Sequence, residues 1–210
     1  MAESIDLDAL RQAIASGDPS RAMPALAGLR QVPAEQAIPL LLLGLEQTTF
    51  MIRSLSCAGL GVKRSDAARQ ALVQALQHDE DANVRAEAAN SLVSYGHVEA
   101  WPLVRQAFVV DHQWLVRCSI LSALAEHPEM PDAWLLDLAQ LAIADGDGTV
   151  RVGGAEILGR LVQKPGLPSS LAPASAAAPS SDVARRLLVE LQQDPDHRVV
   201  AAALNGLQGS

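Results

Sequence analysis

Aromatic residues make up only 3% of this 210-residue chain: three Trp, one Tyr and two Phe. A tetrapyrrole pocket, which needs aromatic walls, is therefore disfavoured. Basic charge is also short, with 16 Lys and Arg against 24 Asp and Glu and a net charge of −8. That balance excludes a nucleic-acid groove, because binding phosphates depends on Lys and Arg releasing condensed counterions. Cysteine is limited to Cys57 and Cys118, which form no disulfide framework and no zinc spacing, so a reducing cytoplasm is the expected location. The first six residues carry no basic segment followed by an apolar one, and the longest apolar run, Ile38 to Leu43, is far too short to span a bilayer. Membrane insertion is not expected. There is also no Gly-rich phosphate loop, no nucleophile elbow and no cluster of metal ligands, so the catalytic residues are unknown and the metal assignment is none.

What is present is repetition. An apolar residue followed by Arg, with Leu seven positions after the Arg, occurs at Ile52-Arg53 to Leu60, Val84-Arg85 to Leu92, Val116-Arg117 to Leu124 and Val150-Arg151 to Leu158. A fifth copy, Val199-Val200 to Leu207, has Val in place of Arg. The Arg positions are spaced by 32, 32 and 34 residues. A fixed period of this size marks a stacked array, in which no unit can bury its apolar face without its neighbours. The 49% apolar composition is enough for a substantial core. The expected fold is all-α: a solenoid of about five stacked helical hairpins with an N-terminal cap pair.

Apolar residues at intervals of three and four place a first helix, A, at Gln36–Leu45, Ala67–Gln77, Trp101–Val109, Ala133–Ala144 and Asp182–Gln192. The second helix, B, follows at Met51–Gly61, Asn83–Tyr95, Leu115–Glu126, Thr149–Leu161 and Arg198–Leu207. Leu7–Ala15 and Arg21–Leu29 form a degenerate pair without the Arg and read as the cap. The expected domains are the capping pair at 1–33, four repeats at 34–163, a Pro/Ser/Ala-rich flexible insertion at 164–181 and a capping repeat at 182–210. The insertion reads as a spacer, since a long loop adds little closure entropy.

Six residues before each Arg stand Gln47, Asp79, Asp111 and Asp145, and Asp194 holds that place in the last unit. The first unit thus has Arg without Asp, and the last has Asp without Arg. Pairing each Arg with the Asp of the following unit leaves no member over: Arg53–Asp79, Arg85–Asp111, Arg117–Asp145 and Arg151–Asp194. Pairing inside a unit would orphan Arg53 and Asp194, and a partly buried charge without a partner is costly. A directional ladder between repeats is expected. The last rung requires the fifth hairpin to stack on the fourth despite the insertion.

The string from Asp79 to Leu92, Asp-Glu-Asp-Ala-Asn-Val-Arg-Ala-Glu-Ala-Ala-Asn-Ser-Leu, resembles the HEAT-like repeat of the phycobilisome lyase type. Asp145-Gly146-Asp147-Gly148-Thr149-Val150-Arg151, with Leu158-Gly159 after it, and Asp194-Pro195-Asp196 look like further copies, so the resemblance covers roughly 34–208. It implies a right-handed α-α superhelix, a HEAT/armadillo-like solenoid, in a cyanobacterial or related bacterial chain concerned with phycobilisomes. Relatives of this kind include bilin lyase subunits and plain adaptors, one of which associates with an iron–sulfur assembly scaffold. Deoxyhypusine hydroxylase, also built on this fold, holds di-iron with His-Glu dipeptides. Here His78, His97, His112, His127 and His197 precede Asp, Val, Gln, Pro and Arg, and that enzyme is rejected.

On helix B, positions three, four, seven and eight after the Arg face the core, and positions two, five and nine project to the opposite side. In a solenoid of this type that side lines the concave surface. Leu55, Ala58 and Val62 begin the strip. The candidate partner-binding residues follow: Glu87, Asn90, Ser94, Ser119, Ser122, Glu126, Glu156 and Arg160. Small side chains permit close approach, and carboxylates orient a helix or a basic segment. Trp114 stands where other repeats have Phe50, Ala82, Gly148 and His197, so the repeat does not require an aromatic there. It is either an edge anchor for a partner or a packing residue over the adjacent turn. Trp101 and Trp134 read as packing residues. Asp145 to Glu156 has the span of a calcium loop, but Thr149–Ala155 must be helix, and a helix start is the better reading.

The expected function is therefore a non-catalytic protein-binding adaptor in phycobilisome or cofactor-assembly physiology, with no cofactor. The alternative is a subunit of a phycobilin lyase or isomerase, for which phycobilin would be the ligand. The expected partner is another protein: a phycobiliprotein, a second HEAT-repeat chain or an iron–sulfur assembly protein.

Overall fold

The computed structural model describes residues 6–127, 129–163 and 179–208. Every α-helix among them belongs to a hairpin. The first pair is α1 (Leu7–Ala15) and α2 (Pro19–Gly28), closed by a 3-10 turn at Leu29–Gln31. The repeats follow as α3 (Ala34–Leu45) with α4 (Phe50–Val62), α5 (Asp66–His78) with α6 (Ala82–Tyr95), α7 (His97–Val110) with α8 (Trp114–Glu126), and α9 (Asp132–Ile143) with α10 (Gly148–Gln163). The last pair is α11 (Ser180–Glu190), extended by a 3-10 turn at Leu191–Gln193, and α12 (His197–Gln208). The fold class is an all-α solenoid. The expected insertion at 164–181 lies almost wholly outside the described residues.

The chain forms two compact units, one running to Ile120 and the other from Leu121, so that the boundary falls inside α8. In unit 1, α3 packs on α4, α5 packs on α6, and α4 lies against α6. In unit 2, α9 packs on α10, α11 packs on α12, and α10 lies against α12. Among the described residues no helix is long and apolar enough to cross a membrane.

The repeated positions build the core. Ile52, Val84, Val116, Val150 and Val199 are all fully buried, as are Leu60, Leu92, Leu124 and Leu158; Leu207, in the last copy, is half-buried. Helices α6, α10 and α12 start where they do because an Asp stands at the cap, whereas Thr49 before α4 makes no side-chain cap bond. Asp81 Oδ1 accepts the Asn83 N–H at 2.8 Å, Asp147 Oδ1 that of Thr149 at 2.7 Å, and Asp196 Oδ1 that of Arg198 at 2.9 Å. Such a cap satisfies an amide that has no partner within its own helix. The Asp145-Gly146-Asp147-Gly148 stretch is therefore the start of α10.

The largest departure from the expected boundaries is α7. It starts at His97, four residues before Trp101, and carries Pro102 in its second turn. A proline signals a helix start because it lacks an N–H, and that signal is misleading here. The bond Pro102 cannot make belongs to the carbonyl of Val98, an exposed residue beside water. Gly96 marks the actual boundary between α6 and α7.

Candidate functional site

The interhelical turns are tied by arginine. Arg53 Nε donates to Asp79 Oδ2 at 2.8 Å and Nη2 to Oδ1 at 3.0 Å. Arg85 grips Asp111 in the same two-pronged way at 2.6 and 3.0 Å, and Arg151 grips Asp194 at 2.9 and 3.0 Å. Each of these contacts lies inside one unit. Arg117 and Asp145 belong to different units, and that rung stays an expectation.

Each Arg has a second task that spacing alone does not reveal. Its Nη1 donates to carbonyls of its own turn: those of Gln47 and Thr48 for Arg53, Asp79 and Glu80 for Arg85, and Asp145 and Gly146 for Arg151. Arg117 Nη1 likewise donates to the Asp111 carbonyl at 2.7 Å. One planar guanidinium thus closes its own turn and clamps the next, which the fixed fork of arginine allows and a lysine would not. This explains Gln47: the first turn offers only its backbone oxygen, so no carboxylate is needed. Each ladder Asp in turn accepts the N–H two residues on, as Asp79 does from Asp81, Asp111 from Gln113 and Asp194 from Asp196.

Burial alone pushes the Asp111 carboxyl up, but the Arg85 hydrogen bond and charge outweigh it and hold the group below its ordinary value. Asp194 is held low first by the hydrogen bond from Arg151. A depressed carboxylate contributes stability that is complete above the unfolded value, about 3.9, and is lost as pH falls through the folded one. Thermal melts between pH 7 and pH 3 should therefore show stability falling below about pH 4. Asp111→Asn should flatten that fall, and an equally steep fall in the variant would exclude Asp111 as a source.

The exposed face of helix α4 separates two cavities in unit 1. One, of about 360 Å³, lies between α2 and α4 and is walled by Leu26, Leu41, Leu55, Ala58 and Val62. The other, of about 590 Å³, lies between α4 and α6 and is walled by Ala58, Val62, Arg64, Glu87, Asn90 and Ser94. Ala58 and Val62 border both, so the two are neighbouring parts of one groove. The positions two, five and nine residues after Arg53 and Arg85 thus come together as the helical period requires.

The groove floor is fixed by hydroxyls. Tyr95 Oη donates to the Leu60 carbonyl at 3.0 Å and Ser94 Oγ to that of Gly61 at 3.2 Å, which satisfies orphan acceptors at the end of α4. Ser119 Oγ donates to Asn90 Oδ1 at 3.0 Å and so adds the start of α8 to the same face. Arg64 Nη2 donates to the Ser94 carbonyl and its guanidinium lies 5.6 Å from the Tyr95 ring centre. Lys63 Nζ binds the carbonyls of Arg30 and Val32. These two cations close helix ends, a role that their positions in the sequence do not signal. Glu87 differs: it is half-buried, and desolvation raises its pKa.

Ser122 and Glu126 on α8, and Glu156 and Arg160 on α10, are exposed residues of unit 2. Trp114 is 46% exposed at the start of α8. Trp101 and Trp134 are half-buried. Cys57 is buried, and burial first, then the charges of Glu87 and Asp79, pushes its thiol up to about 12. A thiol protonated at neutral pH is a poor nucleophile and a poor metal ligand. Cys118 is half-buried.

Stacked helical hairpins with a polar ladder at the turns and a grooved B-helix face define a helical-repeat solenoid. Residues 38–125, from α3 through α8, match the HEAT-repeat family. No curated protein matches the sequence. Among solved structures, the X-ray structure of the Escherichia coli protein YibA is similar over 97% of this chain and 70% of its own length, with a TM-score of 0.63 and 18% identity. A designed armadillo repeat protein in complex with the peptide (KR)4 is similar over 98% of this chain and 99% of its own, with a TM-score of 0.58 and 16% identity. Computationally designed armadillo repeat proteins for modular peptide recognition follow, with 97% and 99% coverage, a TM-score of 0.54 and 14% identity. At these identities the likeness is one of fold.

Proposed function

We propose that this chain is a non-catalytic protein-binding adaptor whose working surface is the groove along α4, α6 and the start of α8. The observation that carries the reading is the pair of adjoining cavities sharing Ala58 and Val62. Small side chains at the shared wall let a partner's backbone come close, and the floor beneath is held by hydrogen bonds, so little order is lost on binding. The armadillo proteins of similar fold add support, one of them holding a peptide and the others designed for modular peptide recognition. The resemblance of the Asp79–Leu92 string supplies the setting: phycobilisome or cofactor assembly in a cyanobacterium, with a phycobiliprotein, a second HEAT-repeat chain or an iron–sulfur assembly protein as partner.

Selection of phage-displayed random dodecapeptides on the immobilised chain tests the binding face. Enriched peptides should lose binding to Ala58→Trp, which fills the shared wall, while the variant keeps its helical circular dichroism. Absence of enrichment, or peptides indifferent to Ala58→Trp, would remove the reading. Capture of one of the named partners from a cyanobacterial lysate, lost with the same variant, tests the setting separately.

A further inference from the structure

The groove has unlike halves, and their difference specifies what it takes. The α2–α4 cavity is walled by Leu26, Leu29, Leu41, Leu55 and Val62 together with Arg30 and Lys63, and is large enough for one bulky aliphatic group. The α4–α6 cavity holds Glu87, on which burial alone acts, with no hydrogen bond or neighbouring charge offsetting it among the described residues. The basic residues nearby are committed elsewhere. Lys63, which borders the α2–α4 cavity, closes the turn after α2, and Arg64, which lines the same cavity as Glu87, donates to the Ser94 carbonyl, seven residues and about 10 Å along α6 from Glu87. Asn90 accepts from Ser119 through its oxygen, which leaves its NH2 as a donor beside the carboxylate.

A half-desolvated carboxylate facing a cavity in a chain of net charge −8 is complementary to a cation. Neighbouring helices pack about 8–10 Å apart, so the centres of the two cavities are offset by about that much. An extended segment in the polyproline II conformation advances about 3.1 Å per residue with three residues per turn, so side chains three apart share one face and stand about 9 Å apart, which spans the offset. We infer that the groove takes an extended protein segment in the polyproline II conformation, in which a bulky aliphatic side chain and a Lys or Arg stand three residues apart, the first entering the α2–α4 cavity and the second meeting Glu87. This rests on the binding reading above. A helical segment would instead need the two side chains seven positions apart to cover the same distance at 1.5 Å per residue.

NMR titration of the 15N-labelled chain with acetylated Gly/Ser peptides carrying one Leu and one Arg tests this. The Leu–Arg spacing is set at two, three or seven, in both orders. Spacing three should give saturable shifts at α4 and α6 amides with the lowest Kd. Replacing the peptide Arg by citrulline, or Glu87 by Gln, should each weaken binding about fivefold, and the two together no more than either alone. Val62→Lys changes a residue that is 65% exposed, so the chain stays folded, and it should abolish the shifts by placing a cation at the shared wall. A best spacing of two or seven, or losses that multiply in the double replacement, would overturn the inference while leaving the binding face in place. Amides of α4 and α6 that move with no peptide would overturn both.

Discussion

Asp111→Ala should destabilise the chain by about 3 kcal/mol, measured as the change in unfolding free energy from urea titration. The figure follows from burial. Removing one member of a buried ion pair costs about 3–5 kcal/mol, whereas exposed pairs contribute about 0.2–1 kcal/mol. The Arg85 and Asp111 side chains are 15% and 8% exposed, near the buried limit. The variant would also strip the Gln113 N–H of its acceptor, while Arg85 would keep its two carbonyl partners and lose the carboxylate that neutralises it. Replacing both members with apolar residues, as in Arg85→Met with Asp111→Leu, should recover much of the loss, because no charge is then left stranded.

Distance plays no part in this ranking. Arg198 and Asp196 approach to 2.7 Å, as close as the ladder pairs, but their side chains are 54% and 17% exposed. The Arg198 hydrogen bonds hold the Asp196 carboxyl down at about 2, yet water screens the pair, and Arg198→Ala should leave stability unchanged within error. Urea curves for the two variants side by side test the argument: equal losses would mean that burial does not set the value of a rung.

The three rungs that lie inside the units were legible because they obey arithmetic. A residue that must meet its counterpart in the next hairpin recurs with the hairpin, and the mismatched ends, Gln47 and Val200, told which direction the pairs run. Positions two, five and nine on helix B were legible from the helical period alone. Other features depend on contacts between helices that no single-chain period encodes. Lys63, Arg64 and Tyr95 each satisfy a carbonyl about thirty residues away, and nothing local marks them for it. The isolation of Glu87 is of the same kind, since a Glu on a helix face looks identical in sequence whether or not a cation sits opposite. The start of α7 at His97 was hidden because Pro102 imitates a first-turn proline. One signal was available and is subtle. The residue eight after one Arg packs on the residue six after the next, as Gly61 does on Ser91 and Gly159 on Gly206, and at such a crossing small size is the conspicuous property.

That crossing gives the second large effect. Gly206→Val should cost about 3 kcal/mol, at the upper end of what overpacking usually does. A Cβ on Gly206 would lie 2.9 Å from the Cα of Gly159 and 3.1 Å from a methyl of Leu188, and a Cβ on Gly159 would lie 2.8 Å from the Cα of Gly206. A side chain can rotate out of such a contact, but a helix backbone cannot, so α10 and α12 would have to separate. Even Gly206→Ala should destabilise, although alanine is favoured over glycine inside a helix by about 1 kcal/mol. Gly28→Ala is the control: its new Cβ would meet nothing closer than 3.9 Å, on backbone with φ of −62°, so the same substitution should there stabilise by about 0.5 kcal/mol. Opposite signs for one chemical change would show that close approach of the two backbones, and not helix propensity, selects glycine at 206. Separation of α10 from α12 should also pull Arg151 from Asp194, so amide exchange in α12 should rise in Gly206→Val, and unchanged exchange there would mean that the helices do not need this contact.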